Sequence, residues 1–253
     1  MQLSGSLYRW YEGRLKAALP QDAMPRHVGV ILDGNRRWAR AAGEGAAAGH
    51  RAGADKIAEF LTWSEDVGVE MVTLWMLSTD NLARPATELE ELVTIIEQAV
   101  SDLALAGRWQ VQVVGALDLL PYQTVERLHA AEAATAGVDG LHVNVAIGYG
   151  GRKEIADAVR SLLDEQAKAG VTLAQLAQKV DVEHIAKHLY TSGQPDPDLV
   201  IRTSGEQRLS GFLMWQSVHS EFYFCEAYWP DFRKVDYLRA LRSFAARERR
   251  LGR

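Results

Sequence analysis

The 253-residue sequence holds one cysteine, Cys225. It can form no internal disulfide and no multi-thiolate metal site, so a reducing compartment, the cytoplasm, is expected. No apolar run approaches the roughly 18 residues that cross a bilayer, and the N-terminus lacks the apolar stretch of a signal peptide. A basic excess is also missing, since 28 Lys and Arg stand against 33 Asp and Glu for a net charge of −5. No nucleic-acid partner is expected, because backbone binding needs a strongly basic face. No linker rich in Pro, Ser and Gly and no low-complexity tract divides the chain, which favours one domain. Four catalytic signatures are absent: Gly-x-x-x-x-Gly-Lys-Ser/Thr, Gly-x-Gly-x-x-Gly, Gly-x-Ser-x-Gly and His-Glu-x-x-His. Gly148, Gly150 and Gly151 have the wrong spacing for the second. These gaps weigh against a phosphate-loop hydrolase, a dinucleotide enzyme, a serine esterase and a zinc peptidase.

What is present is an ordinary globular composition, 47% hydrophobic and 24% charged, in which short β-branched runs alternate with helical patterns. That alternation predicts crossover units feeding a mostly parallel sheet of six strands flanked by helices, an α/β single domain. The strands are Val28 to Leu32, Met71 to Leu77, Gln110 to Val114, Leu141 to Ile147, Leu199 to Arg202 and Phe222 to Phe224. Three-and-four spacing marks helices through Ala54, Ile57, Ala58 and Leu61, and through Leu89, Leu92, Val93, Ile96 and Val100. Gly68, Gly107, Gly140 and Gly170 fall where helices should end, and 178–197, with Pro195 and Pro197, reads as a loop into the fifth strand. Residues 1–24 read as an amphipathic basic helix preceding a domain of 25–253, with Leu7, Tyr11, Leu15 and Leu19 on one side. Docking on its own domain is the expected use of that stripe, with peripheral contact to a membrane surface as the alternative. The stretch from Asp231 to Arg253 has eight basic and three acidic residues and invites an anionic partner.

Ligands of parallel α/β sheets gather beyond the carboxyl ends of the strands. The first strand exits into Asp33, Gly34, Asn35, Arg36, Arg37 and Trp38, then a helix. Glycine lets backbone amides approach an anion at a helix start, and two arginines add charge-assisted donors. A carboxylate there would repel the anion unless a cation lay between them, which suggests a magnesium diphosphate. The plain alternative is a turn followed by a helix cap. The second strand exits into Ser78, Thr79, Asp80, Asn81 and Arg84, of which Ser78 or Asn81 could simply cap the next element. The fifth exits into Arg202, Thr203, Ser204, Gly205, Glu206, Gln207, Arg208, Leu209 and Ser210, a second anion cradle. Two cradles and one metal-type acid point to two phosphorylated substrates brought together.

These residues resemble the cis-prenyltransferases, the Z-isoprenyl or undecaprenyl diphosphate synthases, across five blocks: His27 to Trp38, Gly49 to Gly53, Ser78 to Pro85, Asn144 to Arg152 and Asp198 to Arg253. The resemblance implies a magnesium-dependent homodimer that condenses an allylic diphosphate with isopentenyl diphosphate to form a Z double bond. It implies that Asp33 holds Mg2+, that Gly34, Asn35, Arg36, Arg37 and Trp38 surround the allylic diphosphate, and that His50 binds substrate. Ser78, Thr79, Asp80, Asn81 and Arg84 match the second cluster, with Asn81 assigned to catalysis. Arg202, Arg208, Leu209 and Ser210 match the isopentenyl diphosphate site, and Glu221 a second metal ligand. Arg250, Leu251 and Gly252 match a tail that reaches the active site across the dimer.

The sequence departs from the family pattern in that residues 44–48 hold no basic side chain, Arg36 replaces a common glycine, Asp80 a glutamate and Leu82 a tryptophan. Long-chain synthases carry a small residue where Met76 stands, so the chain is most similar to a short-chain (Z)-farnesyl diphosphate synthase. The alternatives are a medium- or long-chain polyprenyl diphosphate synthase, a noncatalytic partner subunit that binds diphosphate, and a phosphate-sensing module.

Overall fold

The computed structural model describes residues 5–20 and 23–247. Six strands form one sheet: β1 His27–Ile31, β2 Met71–Ser78, β3 Gln110–Val114, β4 His142–Tyr149, β5 Leu199–Arg202 and β6 Glu221–Phe224. Their order is β3-β4-β2-β1-β5-β6, and every pair is parallel, the edge strands included. Strands buried on both faces need apolar residues in unbroken runs. His27-Val-Gly-Val-Ile of β1 accordingly has no exposed position.

Helices supply the two coverings. The larger core joins Val30, Leu74 and Val145 of the sheet to Ile57 and Phe60 of α3 (Ala46–Glu65), Leu92 and Ile96 of α4 (Ala86–Ala106) and Leu128 of α5 (Tyr122–Thr135). Each fully buried side chain of this kind contributes about 1.5 to 3 kcal/mol relative to exposure. The opposite face carries a smaller cluster of Ile31, Ala146, Tyr149, Phe212 and Leu213, next to which α6 (Gly151–Lys168) runs. The N-terminal helix α1 (Gly5–Ala17) lies along the last helix, α9 (Lys234–Ala245), and Leu15 and Leu19 enter the main core. The amphipathic stripe is therefore used internally. No helix among the described residues is long and apolar enough to cross a membrane.

Two expectations need adjustment. The segment 178–197 is not all loop. It contains α8 (Val182–Ala186), started by Asp181, whose side chain accepts a hydrogen bond from the His184 N–H; an Asp three residues before its recipient is an N-cap signal. The Thr172 capping box likewise starts α7 (Leu173–Ala177). Gly140 ends no helix; it lies five residues past the end of α5, in the turn before β4.

Candidate active site

The site forms where β1, β2 and β5 end. Gly34 sits at φ 105°, and a Cβ there would lie 2.7 Å from Tyr228 Cδ1. Only glycine fits both the left-handed backbone and the space, and from it α2 (Asn35–Ala41) starts at once. Behind α2, Gly49 of α3 lets the two helices touch, since a Cβ there would be 2.1 Å from the Asn35 carbonyl oxygen.

Asp33 is fixed at both its backbone and its side chain. Thr203 Oγ1 accepts from the Asp33 N–H at 3.0 Å and donates to the Asp33 carbonyl at 2.7 Å. The carboxylate accepts from Arg202 Nη2 at 2.8 Å and Arg37 Nη2 at 3.3 Å. Burial alone would raise its pKa, but the bonds from Arg202 and Ser204 and the charges of Arg202 and Arg37 outweigh burial and hold the carboxyl below the ordinary range. Arg202 is nearly enclosed, with 6% of its side chain exposed, and its other nitrogen reaches Ser210 Oγ at 2.8 Å and the Arg208 carbonyl. Asp33 and Arg202 thus join the first anion cradle to the second.

A polar cavity of about 470 Å3 opens over this pair. Asp33, Gly34, Asn35, Arg36 and Arg37 line it from the first exit, Ser78, Asp80, Asn81 and Arg84 from the second, Arg202, Arg208 and Ser210 from the fifth, with His50 and Met76. Four of the expected residues are elsewhere. Trp38 is half-buried within α2, Thr79 packs against Gly150, and Leu209 packs on the smaller core. Glu221 opens β6 opposite Leu199, at the amino end of the sheet, and pairs with Arg247. It does not meet Asp33 within one chain, because Asp33 lies beyond Ile31, whose partner is Arg202 at the carboxyl end. Arg250 and Gly252 lie outside the described residues.

Ser78 also caps the turn that follows, accepting the Asn81 N–H at 3.1 Å, so the plain reading and the site reading hold together. His50 Nε2 lies 3.3 Å from Arg84 Nη1. Burial, then the Arg84 charge, pushes its pKa down to about 4; the ring is neutral near pH 7, accepts from Arg84 through Nε2 and carries its proton on Nδ1. Arg40, Trp75 and Leu92 also line the cavity. Arg40 follows Arg36 by four residues on a helix, a spacing that would have revealed it.

Beside the polar cavity, and sharing Asn35, His50, Met76 and Leu92 with it, lies a small recess of about 30 Å3 lined also by Ile57, Ile95 and Ile96. A separate groove of about 800 Å3 runs between α3 and α4. Alternation along β2 directs Val72, Leu74 and Met76 to the same core, and an irregularity in pairing after Trp75 brings Leu77 to that side too.

The geometry agrees with comparisons to known proteins. The prenyltransferase family model, described as undecaprenyl diphosphate synthase, matches residues 31–252. The chain is 64% identical over 97% of its length to the (2Z,6E)-farnesyl diphosphate synthase of Thermobifida fusca, of which it covers 97%. It is 61% identical to isoprenyl transferase 1 of Streptomyces avermitilis, over 97% of this chain and 96% of that protein. Among solved structures, the lavandulyl diphosphate synthase of Lavandula x intermedia in complex with dimethylallyl diphosphate aligns with a TM-score of 0.83 at 32% identity, over 90% of this chain and 98% of that one. With the two arginine cradles, the strand-end carboxylate and a match over most of its length, the chain belongs to the cis-prenyltransferase family.

Proposed function

We propose that this protein condenses an allylic diphosphate, preferably geranyl diphosphate, with isopentenyl diphosphate to give a short Z-prenyl diphosphate such as (2Z,6E)-farnesyl diphosphate. The observation that carries the short product is the small recess at Met76, about 30 Å3. That is room for a water or two and not for a five-carbon unit. An added isoprene unit gains about 4 kcal/mol of apolar burial where space exists, at roughly 0.8 kcal/mol per carbon. The recess at Met76 offers no such space. The name of the 64% identical relative supports the same product class.

Arg36, Arg37 and the start of α2 hold the allylic diphosphate, and Arg202, Arg208 and Ser210 the isopentenyl one. As the first diphosphate departs, its allylic carbon becomes electrophilic, the isopentenyl double bond attacks, and a proton is lost. Asn81 lines the cavity, but an amide is a poor base; it positions the substrate while a diphosphate oxygen or water accepts the proton. Magnesium fits Asp33, whose half-buried carboxylate is kept ionised by its neighbours. Bound there with the substrate's phosphates, it would neutralise charge on the leaving group. Among the described residues no three His, Cys, Asp or Glu side chains gather, so a metal held by Asp33 would need the substrate's oxygens as its further ligands. Glu221 would serve such a site only from a second copy, consistent with a working homodimer whose tails complete each other's cavities. The protein works in the cytoplasm, and any membrane contact is peripheral.

The deciding assay supplies purified protein with labelled isopentenyl diphosphate, magnesium and allylic primers of several lengths, then sizes the products. A single condensation on geranyl diphosphate is expected, and Met76→Ala should lengthen the products without slowing the first condensation. Long products from the unaltered protein would refute the short-chain reading, and a folded, active Met76→Ala with unchanged products would remove Met76 as the stop.

A further inference from the structure

Glu88 lies in the first turn of α4, away from the strand-exit residues that bear the chemistry, yet it meets two of the cavity's cations. Its Oε1 accepts from Arg84 Nη1 at 3.2 Å and lies 3.5 Å from Arg36 Nη1. Arg36 belongs to α2, on the other side of the cavity mouth. Only a quarter of the Glu88 side chain and 13% of the Arg84 side chain are exposed, so this pair is shielded from bulk water more than a surface ion pair, while Arg36, half exposed, reaches it from the rim. The two guanidiniums repel each other, the Arg36 charge acting on Arg84 and both acting on His50. One carboxylate between them lets two positive charges stand side by side beside an anion site. Pro85, at the cap position of α4, offers no side-chain hydrogen bond to the helix start, and Glu88 is the acid of its first turn, next to its positive end.

We infer that Glu88 is a positioning residue for the allylic diphosphate, holding Arg36 and Arg84 at a fixed spacing across the mouth. This rests on the reading above that the α2 cradle receives that substrate. It also answers how the chain binds a primer without a basic residue in 44–48: Arg36 takes that place, and Glu88 aims it. Glu88 does not touch the reacting atoms and acts through the arginines.

The test separates this role from simple support of the helix end. Glu88→Asp keeps a charge at the α4 start but is one methylene too short to span both arginines, whereas Glu88→Gln keeps the length and removes the charge. Steady-state kinetics with geranyl diphosphate and isopentenyl diphosphate should show both variants raising the geranyl diphosphate KM, about tenfold for the loss of one charge-assisted contact, with the isopentenyl diphosphate KM within about twofold. In an Arg36→Gly background, the Glu88→Gln penalty should shrink, because one of its two partners is gone. Glu88→Asp behaving like the unaltered protein, an equal rise in both KM values, or full additivity with Arg36→Gly would overturn the inference. Failure of the unaltered protein to turn over either substrate would instead overturn the functional reading beneath it.

Discussion

Asp33 and Arg202 are joined at the centre of the site, and exposure to water ranks the arginine mutations around them. Asp33→Ala should leave the fold intact and remove most turnover, as chelation of magnesium would, since a metal on a leaving diphosphate contributes several kcal/mol. Full activity of the variant in chelator would refute its role. Arg202 is enclosed and joins Asp33 to Ser210, whereas Arg208 is 65% exposed and pairs with Glu206. Arg202→Ala should therefore weaken isopentenyl diphosphate affinity toward the upper end of the roughly ten- to hundredfold expected for a lost charge-assisted bond, and Arg208→Ala toward the lower end. Measured KM values in the reverse order would contradict this ranking. The cavity residues at strand ends were legible because Asp-Gly-Asn-Arg-Arg and Arg-Thr-Ser-Gly combine chemistry with unusual backbone demands. Glu88 was not, because in one dimension it is an ordinary acid, and only folding shows that it meets two arginines.

At the level of elements, β1 is tied at its other end to the segment that leads into β5. His27 Nδ1 lies 2.8 Å from the Pro195 carbonyl, and Nε2 2.8 Å from Thr73 Oγ1, which accepts from Asn144 at 3.1 Å. A carbonyl only accepts, so the ring donates through Nδ1, and Thr73 donates to Nε2. Burial depresses the His27 pKa, against smaller opposing contributions from the Pro195 carbonyl and the Asp198 charge. The folded state therefore prefers the neutral ring, while the unfolded chain takes up a proton near pH 6.5. Its contribution is fully present above that pH and is lost as pH falls below it. Melting curves at pH 7.5 and pH 5 should show the unaltered protein losing more of its Tm than His27→Asn; a Tm gap independent of pH would exclude this histidine. Strand bounds came from the apolar runs to within two residues, and the three-and-four spacings fall inside α3 and α4. Both short helices, α7 and α8, were missed because five residues hold too few turns for a 3.6-residue period to register, leaving only their caps as signals.

For the whole molecule, the placement of Glu221 away from Asp33 within one chain and the basic end of the sequence bear on the same question. If two copies share each site, a chain lacking 250–253 and an Asp33→Ala chain should each be inactive yet recover activity when mixed. One of the two mixed sites then has both an intact Asp33 and a donated tail. No recovery after demonstrated subunit exchange would exclude a shared site. Sequence patterns could give the parallel sheet but not its order, because nothing local in β1 records that its second neighbour lies in the last quarter of the chain.

That neighbour has a consequence for how the protein is made. β1 sits between β2 and β5, and Asp33 is held by Thr203, 170 residues further along. At roughly 5 to 20 residues per second of synthesis, the nascent chain carries an unpaired β1 edge for on the order of ten seconds. Such an edge is a template for pairing with other chains. The strand that leads into the metal-type carboxylate is thus completed late during translation, and a chain that ends before residue 199 has one cradle and an open sheet, a client for chaperones and not a working site.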